Sequence, residues 1–163
     1  MKYIIFKIIP IIIIVIALVT YGITRYNSVE NDIDRTLRED IMEWFSTFNP
    51  NENKSASDKD FIIKNMKTKY DLSDHWEFRQ KTMELKKLNI SAFFITIVTM
   101  FQDNKTSEYF LAKEYYYYDL DETSPIILKE ETTKYKQGGD SIPVSTTKLW
   151  EGDFDSYCVK PAE

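Results

Sequence analysis

The sequence predicts an α+β fold with a single N-terminal transmembrane helix, followed by two helices that pack on an antiparallel sheet of four or five strands. Three observations lead to this class. The chain opens with an apolar run from Ile8 to Ile23, apolar residues then recur at helical spacing to about residue 70, and strand-like segments alternate with polar turns from Ile90 onward. Helices and strands that are segregated along a chain are typical of α+β domains.

The apolar run is long enough to cross a bilayer once. A helix over residues 3–24 spans roughly 30 Å, about the thickness of the hydrocarbon core. A cleaved signal peptide ending at Thr20-Tyr21-Gly22 is the alternative, but the run is longer than a usual signal core and lacks an Ala-x-Ala site. We therefore expect a retained membrane anchor at residues 1–25, which contacts lipid through residues 3–24.

The charges beside this segment predict its orientation. Lys2 and Lys7 precede it, whereas Glu30, Asp32 and Asp34 follow it after a single arginine. The positive-inside tendency then places the N-terminus in the cytoplasm and the C-terminal part outside. A chain with one cysteine forms no internal disulfide, which is ordinary for a bacterial envelope protein. We expect a single-pass protein of a bacterial cell membrane.

The rest of the chain is long enough for one domain. We expect an extracytoplasmic α+β domain at residues 26–155 and a polar tail at residues 156–163. Residues 26–163 hold all 26 acidic residues and all but three of the 21 basic ones, so their net charge is about −8. This charge argues against nucleic acid as a partner.

Two helices are predicted before the sheet. Pro50 should end the first, because it disfavours helical geometry at Asn49. Ser57 and Asp60 resemble a capping box and predict a second helix from about 58 to 70. The first helix shows an apolar stripe that should cover the sheet, made of Ile33, Leu37, Ile41, Trp44, Phe45 and Phe48.

The strand segments follow in sequence. Residues 76–88 suit either helix or strand, and we favour a strand. Further strands are predicted at Ile90 to Phe101, Tyr109 to Leu120, Ile126 to Tyr135 and Val144 to Trp150, with turns at 102–106, 121–125 and 137–141. This order of elements resembles small NTF2-like and cystatin-like modules. The resemblance implies a helix-plus-curved-sheet layout and no function.

Few residues suit catalysis. His75 is the only histidine, and although Asp71 or Asp74 could orient it, no Gly-x-Ser-x-Gly turn supplies a nucleophile. Cys158 lies in the polar tail without a basic neighbourhood that would lower its pKa. We therefore expect a hydrogen-bonded loop histidine, an incidental thiol and no enzymatic activity.

Metal and cofactor sites are equally weakly indicated. One histidine and one cysteine are too few for a transition-metal site, and Gly138-Gly139 precedes no helix start that could bind phosphate. Calcium would need oxygen ligands, but neither acidic group has EF-hand spacing, so we expect solvated loops, no metal and no cofactor. These two groups are Glu151, Asp153 and Asp155, and Asp103 with Glu108.

The strongest binding candidates are four consecutive tyrosines. On a strand, Tyr115 and Tyr117 face one way and Tyr116 and Tyr118 the other, so one pair can line the core while the opposite pair contacts a partner. Tyrosine buries a large area at low entropic cost and keeps a hydroxyl for hydrogen bonding. The alternative is a strand stabilised by its own cross-strand aromatic contacts.

Together these features predict a non-enzymatic, membrane-anchored interaction protein with a protein partner in the envelope. An accessory of secretion or conjugation machinery and a membrane-bound immunity protein both fit. An extracytoplasmic hydrolase is the alternative that would require a carboxylate or His75 site. The second alternative is a small-ligand-binding module, which would show a pocket between a helix at residues 30–48 and the sheet.

Overall fold

The computed structural model describes residues 2–52, 54–136 and 141–148. Segregated helices and antiparallel strands confirm the predicted α+β class. The helices are α1 (Lys2–Thr47) and α2 (Ala56–Lys69), and the strands are β1 (Trp76–Lys87), β2 (Ala92–Asp103), β3 (Tyr109–Asp119), β4 (Ile126–Tyr135) and β5 (Ser141–Lys148).

Helix α1 joins the predicted anchor and the predicted amphipathic helix into one element of 46 residues, about 69 Å long. No proline or glycine interrupts the chain between Gly22 and Thr47, and ion pairs between Asp32 and Arg35 and between Asp34 and Arg38 support the polar stretch. The N-terminal part of α1 is long and apolar enough to span a membrane. The expected boundary between anchor and domain therefore lies inside a continuous helix.

The C-terminal third of α1 packs on the sheet. Leu37, Ile41 and Phe45 are buried in a cluster with the β2 side chains Phe93, Ile95 and Ile97. Most of the predicted apolar stripe is thus the core contact. The other members of the stripe, Ile33, Trp44 and Phe48, are partly buried and pack against this cluster.

Helix α2 begins two residues earlier than its predicted capping box implied. Ser55, not Ser57, is the N-cap: its Oγ accepts a hydrogen bond from the backbone amide of Asp58 at 3.2 Å. The same hydroxyl lies 2.6 Å from the Asp58 carboxylate. Both serines precede an aspartate by three residues, so spacing alone could not separate them, and Ser57 falls inside the helix.

The sheet is a meander in which each strand pairs antiparallel with the next along the chain. The strand favoured at 76–88 is confirmed as β1, and β4 has its predicted bounds. β5 begins at Ser141 and not at Val144. Its predicted end at Trp150, the turn residues 137–140 and the tail at 156–163 lie outside the described residues.

A second core cluster lies under α2. Met66 of this helix is buried with Trp76, Phe101, Phe110 and Ala112 of the first three strands. The clusters under α1 and α2 share one face of the sheet, and polar side chains lie between them.

A bulge in β1 determines the direction in which one of these polar side chains points. The register with β2 shifts between Phe78 and Gln80, so the inward-facing positions change from even to odd numbers. Phe78 packs on Phe101 before the shift, whereas Lys81 and Met83 face the helices after it. The bulge therefore places a lysine on the core face of the sheet.

Candidate functional site

A cavity of about 350 Å³ opens between the two helices above the centre of the sheet. We call it the central cleft, and it is lined by Trp44, Phe48, Asn65, Met66, Lys69, Lys81, Glu114 and Tyr116. Its volume is at the lower end of the range of small-ligand sites in proteins. The cleft combines an aromatic wall with charged groups on its floor.

The end of helix α1 forms the aromatic wall. The Trp44 ring, in the last turn of α1, meets the ring of Phe48, the residue that follows the helix, edge-on at 4.7 Å between centroids. It also meets Tyr116 of β3 edge-on at 5.0 Å. These three rings hold one another in place, because edge-to-face packing favours fixed orientations.

Glu114 is the most enclosed anion of the cleft, with 4% of its surface exposed. Lys69 of α2 forms an ion pair with it and a second one with Glu130 at 2.5 Å. Partial burial opposes the charge of Lys69, but the two carboxylates raise its pKa above the usual value. Helix α2 is thereby joined to β3 and β4 by one lysine.

Two tyrosine hydroxyls also bind Glu114. Tyr70 and Tyr116 donate hydrogen bonds to its carboxylate, and burial together with the nearby negative charges of Glu114 and Glu130 raises the pKa of both tyrosines. Both stay protonated at neutral pH and serve as donors. Glu114 is therefore compensated by one ammonium group and two hydroxyl groups.

Lys81 lacks this kind of compensation. It is 5% exposed, and its Nζ lies 4.0 Å from the centroid of the Phe48 ring and 4.0 Å from the sulfur of Met66. Among the described residues, no carboxylate oxygen lies within 4.0 Å of this ammonium group. Burial lowers the pKa of Lys81 to about 8, although the more distant Glu114 partly opposes the shift.

A buried hydroxyl lies beside this lysine. Thr99 of β2 is directly opposite Lys81 in the sheet register and is fully buried. Within the described part of the chain, its Oγ1 has no hydrogen-bond partner. Opposite residues in an antiparallel pair lie about 5 Å apart at Cβ, so the Thr99 hydroxyl is a neighbour of the Lys81 side chain, whose ammonium group donates to the sulfur of Met66.

The four predicted tyrosines divide between the two faces of the sheet. Tyr116 lines the central cleft, and Tyr118 is buried against α1, where burial and the neighbouring Asp40 raise its pKa. Tyr115 and Tyr117 are on the opposite face and half-buried. The Tyr115 hydroxyl donates to Glu131 at 2.9 Å and the Tyr117 hydroxyl to Asp119 at 2.6 Å.

His75 lies at the far end of the sheet, in the turn before β1. Its Nε2 is 3.2 Å from Asp103, and the Ser73 hydroxyl is 3.0 Å from Nδ1 and 3.2 Å from Nε2. The carboxylate beside the imidazole ring is thus that of Asp103, not that of Asp71 or Asp74, which the sequence offered as residues that could orient it. The contacts among Ser73, His75 and Asp103 join the turn before β1 to the end of β2.

The predicted acidic groups take no metal-like arrangement in the described residues, among which no three His, Cys, Asp or Glu side chains converge. Asp103 instead accepts hydrogen bonds from the backbone amides of Lys105 and Thr106. Burial opposes its charge, but these bonds and the nearby His75 lower the pKa of Asp103. Glu151, Asp153, Asp155 and Cys158 lie outside the described residues.

Lys69, Lys81 and Glu114 did not emerge from the sequence. The inward position of Glu114 could have been predicted, because strict alternation along β3 puts it on the same face as Phe110 and Tyr116. Lys81 could not be placed inside without knowledge of the bulge.

No known protein family, curated protein or solved structure matches this chain. The function of the cleft is therefore inferred from its own geometry.

Proposed function

We propose that this protein is a membrane-anchored, extracytoplasmic interaction protein, and that the central cleft is its binding site. The observation that carries this proposal is the buried ammonium group of Lys81, which faces an aromatic cavity without a carboxylate in contact among the described residues. A buried charge without a close partner of opposite charge destabilises a fold. Such groups concentrate at sites that bind something.

Helix α1 supports the anchoring part of the proposal. The same helix contains the apolar segment and Trp44 of the cleft wall, without a flexible linker between them, and Phe48 follows directly after its last residue. Trp44 is 19 residues beyond Arg25, which corresponds to about 28 Å along the helix axis. The cleft would then be held at a fixed height above the bilayer.

The cleft favours binding over hydrolysis. The carboxylate that lines it, Glu114, is paired with Lys69, and the Ser73, His75 and Asp103 group lies outside the cleft. A role in secretion or conjugation machinery, or as an immunity protein, is compatible with a binding cleft next to a membrane. The identity of neighbouring genes would distinguish these roles.

Occupancy of the cleft can be tested by cysteine footprinting in native membranes. Asn65 is exposed at the rim of the cleft, and Asp60 is an exposed residue of the same helix that does not line it. Each is replaced by cysteine in a Cys158→Ser background. We expect Asn65→Cys to react with maleimide more slowly in native membranes than after purification, with Asp60→Cys unchanged.

The additional change Trp44→Ala, which opens the aromatic wall, should abolish this protection. If Asn65→Cys reacts equally fast in membranes and after purification, no occupant is bound and the proposed site is wrong.

A further inference from the structure

The face of the sheet opposite the two helices has an apolar patch at its centre. Antiparallel sheets with one solvated face usually carry polar side chains on that face. Here the register of β2 and β3 places aromatic and aliphatic side chains there instead. We call them the outer patch, which consists of Phe94, Val98, Met100, Leu111, Tyr115 and Tyr117.

The outer patch is partly buried. Phe94 has 9% of its surface exposed, and Tyr115 and Tyr117 are half-buried. Stacking of the Phe94 and Tyr115 rings, at 6.1 Å between centroids, accounts for part of this burial. Among the described residues, both helical elements that cover the sheet pack on the other face. Contiguous apolar side chains of this kind are typical of a contact surface.

The chain leaves the sheet next to the outer patch. Lys148, the last residue of β5, is directly opposite Lys129 on β4, and Lys129 is directly opposite Tyr115 on β3. Neighbouring strands lie about 4.8 Å apart, so the end of β5 is roughly 10 Å from Tyr115. Nine residues span roughly 14 Å even in the compact form of a helix. Residues 149–157 are therefore long enough to cross the patch.

The apolar residues of this segment suit an aromatic surface. Trp150, Phe154 and Tyr157 are four and three residues apart, so on a helix they would share one face. Each aromatic ring buries a large area, and pairs of aromatic rings add about 0.5–1.5 kcal/mol beyond that burial. The segment thus has aromatic side chains to place against the rings of Phe94 and Tyr115.

The charges of the segment and of the sheet are complementary. On the sheet, Lys129 pairs with Glu131 at 2.5 Å, and Lys113 is directly opposite the same glutamate. Two lysines thus share one carboxylate beside Tyr115, which favours an acidic segment over a basic one. Residues 149–157 have no basic residue and three acidic ones, Glu151, Asp153 and Asp155.

We propose that residues 149–157 fold back over the outer patch of the same chain, with their aromatic side chains on Phe94, Tyr115 and Tyr117. Their carboxylates then lie near Lys113 and Lys129. The outer patch is in this case an internal contact of the domain. It is on the opposite face from the central cleft, so this inference does not depend on what the cleft binds.

A cysteine at Thr96 reports whether the patch is covered. Thr96 is half-buried on the same face and directly opposite Tyr115. Purified full-length Thr96→Cys protein in a Cys158→Ser background is treated with maleimide in detergent. We expect the reaction to become at least about tenfold faster when Trp150→Ala and Phe154→Ala are added, because the contacts that close the patch are lost.

Two controls accompany this measurement. Ser156→Ala, a change of a polar residue in the same segment, should leave the reaction of Thr96→Cys unchanged. Asp60→Cys, which is exposed on α2, should react equally fast with and without the two aromatic changes. Thermal melts confirm that each variant is folded.

Photo-cross-linking identifies the occupant of the patch and does not require the alanine variants to fold. With p-benzoylphenylalanine in place of Trp150, we expect links within one chain to peptides of β2 or β3. Equal reaction of Thr96→Cys with and without the aromatic changes would overturn the proposal. Links that avoid both strands would do so too. Links between two chains, or protection of Thr96→Cys that weakens on dilution, would assign the patch to a second copy of the protein instead.

Discussion

Lys81 shows how burial of one charged side chain opposes the stability of a fold. Its side chain is surrounded by Phe48 and Met66, where a methionine would pack without a desolvation penalty. A pKa of about 8 in the folded state, against 10.5 in the reference state, corresponds to a penalty of roughly 3 kcal/mol near pH 7. This penalty adds to the geometric argument for the binding role that we propose for Lys81.

The penalty predicts a pH dependence with a definite sign. The folded protein releases the Lys81 proton at a lower pH than the unfolded chain, so this group adds stability as the pH rises from about 8 to 10.5. Lys81→Met should accordingly be more stable than the wild type by roughly 3 kcal/mol at pH 7, and the difference should shrink towards pH 10. Urea unfolding of both proteins at pH 7, 8.5 and 10 measures it.

The raised pKa of Lys69 affects stability only above its reference value of 10.5, outside this range, and the residue is present in both proteins. A difference between the wild type and Lys81→Met that does not change with pH would contradict the buried, destabilised ammonium group.

At the scale of elements, the packing of helix α1 on the sheet depends on a narrow stripe of apolar side chains. Ile41 is 1% exposed and packs against β2, whereas the adjacent Met42 is 48% exposed on the other side of the helix. Ile41→Ala should lower the free energy of unfolding by about 2–5 kcal/mol, because it leaves a cavity under the helix. Met42→Ala should change it by less than about 0.5 kcal/mol. Chemical unfolding of the two variants compares them directly, and similar losses would show that α1 does not pack through this stripe.

Strand β3 separates two candidate binding surfaces, because Tyr116 lines the cleft and Tyr117 lies on the opposite face. If the cleft is the site, Tyr116→Ala should remove the protection of Asn65→Cys in native membranes and Tyr117→Ala should not. His75→Ala, at the far end of the sheet, should also leave protection intact. Lost protection in a folded Tyr117→Ala protein would favour the outer tyrosine face as the partner surface.

Most elements could be predicted from their periodicity. Alternation and β-branched content located β1 to β4 to within two residues, and the apolar stripe of α1 identified Leu37, Ile41 and Phe45 as core. The continuity of α1 was not predicted, because its apolar part and its amphipathic part differ in hydrophobicity and look like two separate helices. The lack of proline and glycine between Gly22 and Thr47 is the signal for one helix. The NTF2-like or cystatin-like layout stays a prediction.

The candidate site was less predictable for a different reason. It depends on contacts between α1, α2 and β1 that are distant in sequence, and on the bulge that turns Lys81 inward. Periodicity reports the face of one element at a time. A register shift of one residue exchanges the two faces of a strand, so the polar residues of such a strand cannot be placed without its partner.

At the scale of the whole molecule, α1 acts as a single rod that connects the apolar segment to the core. Lys87, at the end of β1, pairs with Glu30 at 3.0 Å, so the sheet meets the helix shortly after Arg25. In the proposed orientation this edge of the domain lies next to the membrane surface. The net charge of about −8 beyond Arg25 disfavours close contact with anionic lipids, so the helix and not the domain surface would hold the protein there.

This arrangement predicts the outcome of cell fractionation and protease treatment. We expect the full-length protein in the membrane pellet, because the apolar part of α1 is retained, and we expect protease added to cells stripped of their wall to digest the chain beyond about Arg25. A cytoplasmic marker protein must survive the same treatment as the control. Protection of the domain until the membrane is permeabilised would reverse the orientation. A soluble form that begins near Ile23 would show that the apolar segment is a cleaved signal peptide, and the cleft would then act in a released protein.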